Sequence, residues 1–195
     1  MALIYKEILS AIAIALTLLA FFPYLRAILQ GAIRPHVFSW MIWGSTTFVV
    51  FLAQLEDHGG VGAWPIGVSG GITLLIAVLA YLKRADISIT VSDWLFFGAA
   101  MSALPFWYIA ADPLWAVVIL TSVDVLGFGP TVRKAYHRPH TESLLFFTLF
   151  MVRNLMVILA LENHTVTTVL FPGVIALACA LLTVMIMLRR RVLAC

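Results

Sequence analysis

Seven apolar stretches occupy almost the whole chain, and each is about as long as a helix that crosses a membrane. They lie at 7–29, 37–55, 63–82, 93–111, 114–136, 142–161 and 165–188. Because an α-helix rises 1.5 Å per residue, roughly 18 to 25 residues cross the ~30 Å hydrocarbon core of a bilayer. Of the 195 residues, 63% are hydrophobic and 11% are charged, whereas soluble domains are about half apolar and a quarter charged. The sequence predicts one all-α integral membrane domain with seven transmembrane helices.

The basic residues predict how the chain is oriented in its membrane. Seven crossings place ten of the twelve lysines and arginines on one face, and these are Arg26, Arg34, Lys83, Arg84, Arg133, Lys134, Arg138, Arg189, Arg190 and Arg191. The opposite face carries Glu56, Asp57, Asp112 and Glu162 beside Lys6 and Glu7. By the positive-inside rule, the N-terminus lies outside and the C-terminus lies in the cytoplasm. We expect the protein to be located in a bacterial cytoplasmic (inner) membrane.

An internal repeat relates the two ends of the chain. The segments FPYLRAILQGAIRPHVFS (22–39) and GPTVRKAYHRPHTES (129–143) share a Pro, an Arg three residues later, an Arg-Pro-His and a following Ser. An offset of 107 residues carries Pro23 onto Pro130 and Pro65 onto Pro172. The repeats span about 4–84 and 113–191, and the helix at about 91–111 has no counterpart. Because an odd number of helices separates equivalent points, both copies cross the bilayer in the same direction.

This plan of two parallel three-helix bundles joined by a linker helix resembles the SWEET and PQ-loop transporter superfamily. Each bundle has a Pro in its first helix and a basic loop after it. Tyr24 and Thr131 follow the two prolines where that family has Gln, and helices 3 and 7 carry no Asn. The RPH..SW..W segment is also similar to one found in a group of small bacterial membrane proteins. The resemblance implies a membrane transporter whose two bundles alternate access to a solute site between them.

Two ionisable residues and an amide lie near the middle of the second repeat's helices. Asp124 is close to the midplane in helix 5, and Arg153 and Asn154 are near the centre of helix 6. A charge at that depth costs at least ~2.5–3.5 kcal/mol, so such residues face the bundle interior and indicate function. Helices 5 and 6 are consecutive, which predicts an Asp124–Arg153 ion pair, either as part of a site or as a structural link within the bundle.

The equivalent positions in the first repeat are uncharged. Thr17 corresponds to Asp124, and the nearest equivalents of Arg153 are at 47–49. Trp40 and Trp43 share one face of helix 2, ahead of Thr46 and Thr47. We predict a pocket for a small polar solute near the midplane, and its residues are Trp43, Thr47, Asp124, Arg153 and Asn154. We predict Pro23 and Pro130 to be hinges of a gate, the alternative being that they only shape the helices.

The leading functional hypothesis is a SWEET-like transporter, either a facilitator or proton-coupled, for a small polar solute. The alternative is a non-transporting receptor, scaffold or subunit on the same fold. A retinal protein is disfavoured because Lys6, Lys83 and Lys134 all lie outside helix 7. An enzyme is disfavoured because no His-Glu zinc pattern is present, and because GVSGG at 67–71, which has the G-x-S-x-G spacing, lies inside an apolar helical stretch and not at the strand-to-helix turn of a nucleophile elbow. We expect no cofactor, no metal and no nucleic acid. The expected partners are the lipid bilayer and the solute, and the sequence leaves open whether the chain forms a homo-oligomer.

Overall fold

In a computed structural model of the chain, the helices coincide with the seven apolar stretches. The structure describes residues 2–31, 37–83, 91–137, 139–141 and 143–193, without the side chains of 2, 3, 92, 93, 96, 130, 133, 134, 141 and 193. The α-helices are α1 (Ala2–Leu29), α2 (Val37–Glu56), α3 (Trp64–Leu82), α4 (Val91–Ala110), α5 (Pro113–His137), α6 (Leu144–Ala160) and α7 (Val166–Leu193). Two 3-10 turns are at Gly60–Ala63 and Pro139–Thr141. Every helix ends within five residues of its predicted stretch, so the all-α fold is confirmed.

The surfaces of these helices are apolar, as expected for a protein surrounded by lipid. On α4, Tyr108 and Ile109 are 89% and 80% exposed. Four segments are long and apolar enough to cross a bilayer, and they are Ile4–Leu29, Val37–Glu56, Gly60–Leu82 and Val166–Val192. The apolar parts of the remaining helices are shorter and lie at Phe97–Ala110, Pro113–Gly129 and Leu144–Ala160. The described part of the chain therefore has the character of an integral membrane protein with four candidate spans.

The helices form two triplets that contact each other mainly through four helices. In the first triplet α3 packs against both α1 and α2, and in the second α7 packs against both α5 and α6. Between the triplets, α1 packs against α6, and α2 packs against α5. The remaining helix, α4, lies mainly against α5 and also contacts α2. The core between the triplets therefore lies among α1, α2, α5 and α6.

Two glycines allow α2 and α3 to approach closely. A Cβ atom on Gly44 would lie 2.9 Å from the backbone nitrogen of Leu74. A Cβ atom on Gly70 would lie 3.0 Å from the backbone nitrogen of Phe48. Small residues at helix contacts are the usual means of packing within a membrane, where burial of apolar surface provides little driving force between helices. This contact gives the first triplet its tightest pair of helices.

The segments that follow α2 and α6 bind each other at the face opposite the one predicted to carry ten of the twelve basic residues. We call the contact between 57–63 and 161–168 the loop contact. The backbone nitrogen of Glu162 donates to the carbonyl of Gly59 at 3.1 Å. In return, the backbone nitrogen of Val61 donates to Oε1 of Glu162 at 3.1 Å. Glu162 thus joins the first triplet through its backbone and its side chain.

Polar side chains on both sides extend the loop contact. Nδ2 of Asn163 donates to the carbonyl of Asp57 at 3.2 Å, and the hydroxyl of Thr165 donates to the Asp57 carboxylate. At the end of α2, Nε2 of Gln54 donates to the carbonyl of Thr168 at 2.7 Å. The loop contact therefore closes this face of the molecule between the two triplets.

We predict that replacing Gly62 with Ala weakens the loop contact. The new Cβ atom would lie 2.4 Å from the backbone nitrogen of Leu161, and backbone can yield only if the two loops separate. Overpacking of this kind costs about 1–3 kcal/mol, which we expect as a lower apparent Tm of the purified chain in detergent. The control is Gly71→Ala on α3, where a Cβ atom meets nothing within 4 Å. Equal melting temperatures for the two variants would contradict this account of Gly62.

Candidate functional site

Among the described side chains, the most deeply buried charge is that of Arg153 on α6, which is 2% exposed. Its Nε donates to the hydroxyl of Thr17 on α1 at 3.1 Å. One terminal nitrogen donates to Oδ1 of Asn154 at 2.9 Å, and the other donates to the carbonyl of Pro65 at 2.6 Å. All three acceptors are neutral, so in the described part of the chain this guanidinium has hydrogen bonds but no carboxylate partner.

Asn154 and Phe150 hold the guanidinium from its own helix. The side chain of Asn154 is fully buried, and its Nδ2 donates to the carbonyl of Phe150 at 2.7 Å. That bond fixes the amide so that its oxygen faces Arg153. The ring of Phe150 lies 5.6 Å from the guanidinium carbon, within the range of a cation–π contact. Asn154 therefore positions Arg153 in this structure.

The second buried charge, Asp124 on α5, contacts a different helix. It is 9% exposed, and the hydroxyl of Thr46 on α2 donates to its Oδ1 at 3.3 Å. The same hydroxyl lies 2.9 Å from the carbonyl of Trp43. A threonine has a single hydroxyl hydrogen, so the carboxylate shares this donor with the backbone of α2. Asp124 is thus joined to the first triplet by one shared hydrogen bond.

The predicted ion pair between Asp124 and Arg153 is wrong. Arg153 donates to α1 and α3, whereas Asp124 accepts from α2. Helices α5 and α6 are consecutive in the chain, but α7 packs against both of them. The polar face of α6 is directed towards α1, and that of α5 is directed towards α2. Each charge therefore meets a hydroxyl of the other triplet instead of the opposite charge.

Trp43, the aromatic residue of the predicted pocket, lies against α5 at a point one helical turn from Asp124 in the sequence. The Trp43 indole is 36% exposed, and its Nε1 lies 3.1 Å from where a Cβ atom of Gly127 on α5 would be. Trp43 contacts Trp40 edge-to-face, and Trp40 stacks on Tyr24 with ring centroids 5.0 Å apart. Among the predicted residues, Trp43 and Thr47 are on α2 beside the Asp124 contact, and Arg153 and Asn154 form a second group. The described contacts do not join these two groups into one pocket.

Neither predicted hinge interrupts its helix. Pro23 lies inside α1 and Pro130 lies inside α5, and both helices continue past them. The side chain of Pro23 is exposed, and that of Pro130 is outside the described side chains. The loop motif Arg34-Pro35-His36 and the side chains of Arg133, Lys134 and Arg138 are outside the described part as well. The hinge stays a prediction.

Each buried charge aligns, at the offset of 107, with the hydroxyl partner of the other charge. An offset of 107 carries Thr17 onto Asp124 and also carries Thr46 onto Arg153. The Arg153–Thr17 bond and the Thr46–Asp124 bond therefore join pairs of positions that this offset relates to each other. The predicted equivalents of Arg153 at 47–49 assumed that the three-residue gap between the two loops continues into the helices. In fact α2 begins at Val37 and α6 at Leu144, which restores the offset of 107.

Comparison with protein-family models, with curated proteins and with solved structures finds no match for this chain. The functional interpretation therefore rests on the residues of this chain. Sequence reasoning had not assigned two groups of the site, the carbonyl of Pro65 and the ring of Phe150. A backbone acceptor and an aromatic contact leave no pattern in the sequence that would identify them. The offset of 107, by contrast, contained the signal for Thr46.

We predict that Arg153 and Thr17 are energetically coupled and that Arg153 and Thr46 are not. Arg153→Lys replaces the planar fork that reaches three acceptors with a single ammonium group. In the Arg153→Lys, Thr17→Val double variant, the two substitutions should show a coupling of about 1 kcal/mol or more in the free energy of unfolding. Combined with Thr46→Val, the effects should add within about 0.5 kcal/mol. Unfolding of the three single and two double variants in mixed micelles measures both cycles, and coupling to Thr46 instead of Thr17 would reverse the assignment.

Proposed function

We propose that the chain is a SWEET-like membrane transporter that carries a small polar solute between two three-helix bundles. The observation that carries the proposal is the pair of buried charges, Arg153 and Asp124, at the contact between the triplets. Neither has a charged partner among the residues that the structure describes. Ionisable groups inside a membrane are costly and mark solute or proton pathways. A charge with a fixed counter-ion forms a structural link, whereas one held by a hydroxyl can exchange that partner for a solute.

Burial supports the parallel repeat on which the proposal depends. Four buried residues of α2 map at the offset of 107 onto the four buried residues of α6 from its middle to its end. The pairs are Thr46 with Arg153, Thr47 with Asn154, Val50 with Val157 and Ala53 with Ala160. Helix contacts repeat in the same way, since α1 packs on α6 as α5 packs on α2. We therefore propose seven crossings, with the N-terminus outside, the C-terminus in the cytoplasm and a bacterial cytoplasmic membrane as the location.

The loop contact fits one state of an alternating-access cycle. It joins the triplets at the face that carries Asp57 and Glu162, while the four central helices meet in the membrane through few polar contacts. Rocking of two bundles around a midplane site requires one face to be closed while the other opens. In the proposed cycle this structure is closed at the outer face, and transport requires the loop contact to separate.

A second candidate is a receptor, scaffold or subunit that transports nothing. Its support is the apolar core between the triplets, to which α1, α2, α5 and α6 contribute Ala13, Val50, Val117 and Val157, all with no exposed surface. Such a core stabilises one conformation. This candidate predicts a partner that co-purifies in mild detergent and a melting temperature that no solute raises.

Locking the loop contact tests the transporter directly. In a Cys195→Ser background, Asp57→Cys with Thr165→Cys places two thiols where a hydroxyl and a carboxylate now meet. We expect proteoliposomes to take up at least one of a panel of sugars, amino acids, vitamins and nucleosides. Oxidation of the double variant should reduce that uptake to the rate of empty liposomes, and a reductant should restore it. Each single-cysteine variant is the matched control.

The outcomes separate the transporter from its alternatives. Absence of uptake for every solute, with and without a pH gradient, overturns the transporter and leaves the receptor or scaffold. Full uptake by the oxidised double variant would be consistent with transport but would show that the loop contact is not a gate.

We predict that Asp124→Asn lowers the uptake rate at least about ten-fold. The amide keeps an oxygen that can accept from Thr46 but cannot carry the charge or the proton. A loss of one charge-assisted contact in the membrane interior is worth roughly 1.5–3 kcal/mol, which is ten-fold or more. Glu56→Gln, an exposed carboxylate at the end of α2, is the control. Unchanged uptake by Asp124→Asn, measured with equal amounts of reconstituted protein, would remove Asp124 from the site.

A further inference from the structure

An apolar groove runs along the outside of the second triplet between α5 and α7. Its walls are aliphatic and aromatic side chains that include Val125, Phe128 and Val132 of α5 and Ala178, Leu181 and Met185 of α7. Gly129 also lines the groove, and a Cβ atom there would meet nothing within 4 Å. The groove is separate from the buried charges, and the proposed transport does not use it.

The groove has the length of one leaflet of a bilayer. It extends on α5 from Val125 to His137, which is about 18 Å at 1.5 Å per residue. Half of the ~30 Å hydrocarbon core is about 15 Å. One end therefore lies near the middle of the membrane, and the other lies at the basic face.

The end at the basic face carries an aromatic residue and a cation. Tyr136 and His137 line this end. Nε of Arg189 donates to the carbonyl of Tyr136 at 3.0 Å, and the guanidinium carbon lies 4.1 Å from the Tyr136 ring. These contacts hold the Arg189 side chain beside the groove. Its two terminal nitrogens have no partner among the described residues, so they can bind an anion.

We propose that this groove binds an anionic phospholipid, with one acyl chain along α5 and α7 and the phosphate on Arg189 and His137. An apolar channel of leaflet length that ends in a guanidinium has the charge distribution of such a lipid, and basic pockets between helices at this face recognise anionic headgroups. A second copy of the chain is a poorer occupant. In a parallel dimer its own Arg189, Arg190 and Arg191 would lie at the same face, so like charges would approach.

The test uses the full chain in detergent, titrated with phosphatidylglycerol or phosphatidylcholine of the same acyl composition. Native mass spectrometry counts the retained lipids, and the melting temperature reports the stabilisation. We expect phosphatidylglycerol to bind about ten-fold more tightly. Arg189→Gln should reduce that affinity about five- to ten-fold, in keeping with one lost basic contact. Arg191→Gln, which removes the same charge from an exposed position on α7, should change it less than about two-fold.

A second pair of variants tests the groove itself. Gly129→Leu adds a side chain into the open space and should abolish retention of either lipid. Gly71→Leu adds the same side chain at an open position on α3 and should retain the lipid. Equal affinity for the two lipids, or retention by Gly129→Leu, overturns the proposal. Conversion of a dimer to a monomer by Gly129→Leu also overturns it and assigns the groove to a second copy.

Discussion

The structure depends on how a guanidinium is accommodated where water is absent. Burying a charge costs several kcal/mol unless its hydrogen bonds are satisfied. Arg153 meets that requirement with acceptors from α1, α3 and α6, so a shift of any of these helices along its axis would leave donors unsatisfied. On the other side, the bond between Thr46 and Asp124 joins α2 to α5 in the corresponding place. Inside the membrane, these two polar contacts set the relative position of the two triplets, whose other described contacts at that depth are mainly apolar.

The two faces of the molecule differ in how they are held. At one face, backbone and side-chain hydrogen bonds of 57–63 and 161–168 join the triplets. At the other, Arg189 and Arg190 on α7 bind carbonyls of Tyr136 and Pro139 within the second triplet. Among the described residues, the polar links between triplets are therefore concentrated at the face with few basic residues. The proposed rocking motion about the buried charges requires an asymmetry of this kind.

The helices could be predicted from the sequence because the length of an apolar stretch directly reflects the thickness of a bilayer. The burial of Asp124, Arg153 and Asn154 followed from the same cost of placing polar groups in hydrocarbon, and the structure agrees. Their partners could not be predicted. Chain order suggested that α5 and α6 face each other, but α7 packs against both. The carbonyl of Pro65 is an acceptor that every residue possesses, so only the three-dimensional arrangement identifies it.

The central claim is that each buried charge meets a hydroxyl of the opposite triplet. A solid-state NMR dipolar-recoupling measurement in lipid bilayers tests it, with 15N in the Arg153 guanidinium and 13C in Thr17 or in the Asp124 carboxyl. We expect the nitrogen signal to be dephased by the side chain of Thr17 and to be unaffected by the carboxyl carbon of Asp124. Strong dephasing by Asp124, with none from Thr17, would show an ion pair inside the second triplet and contradict the account.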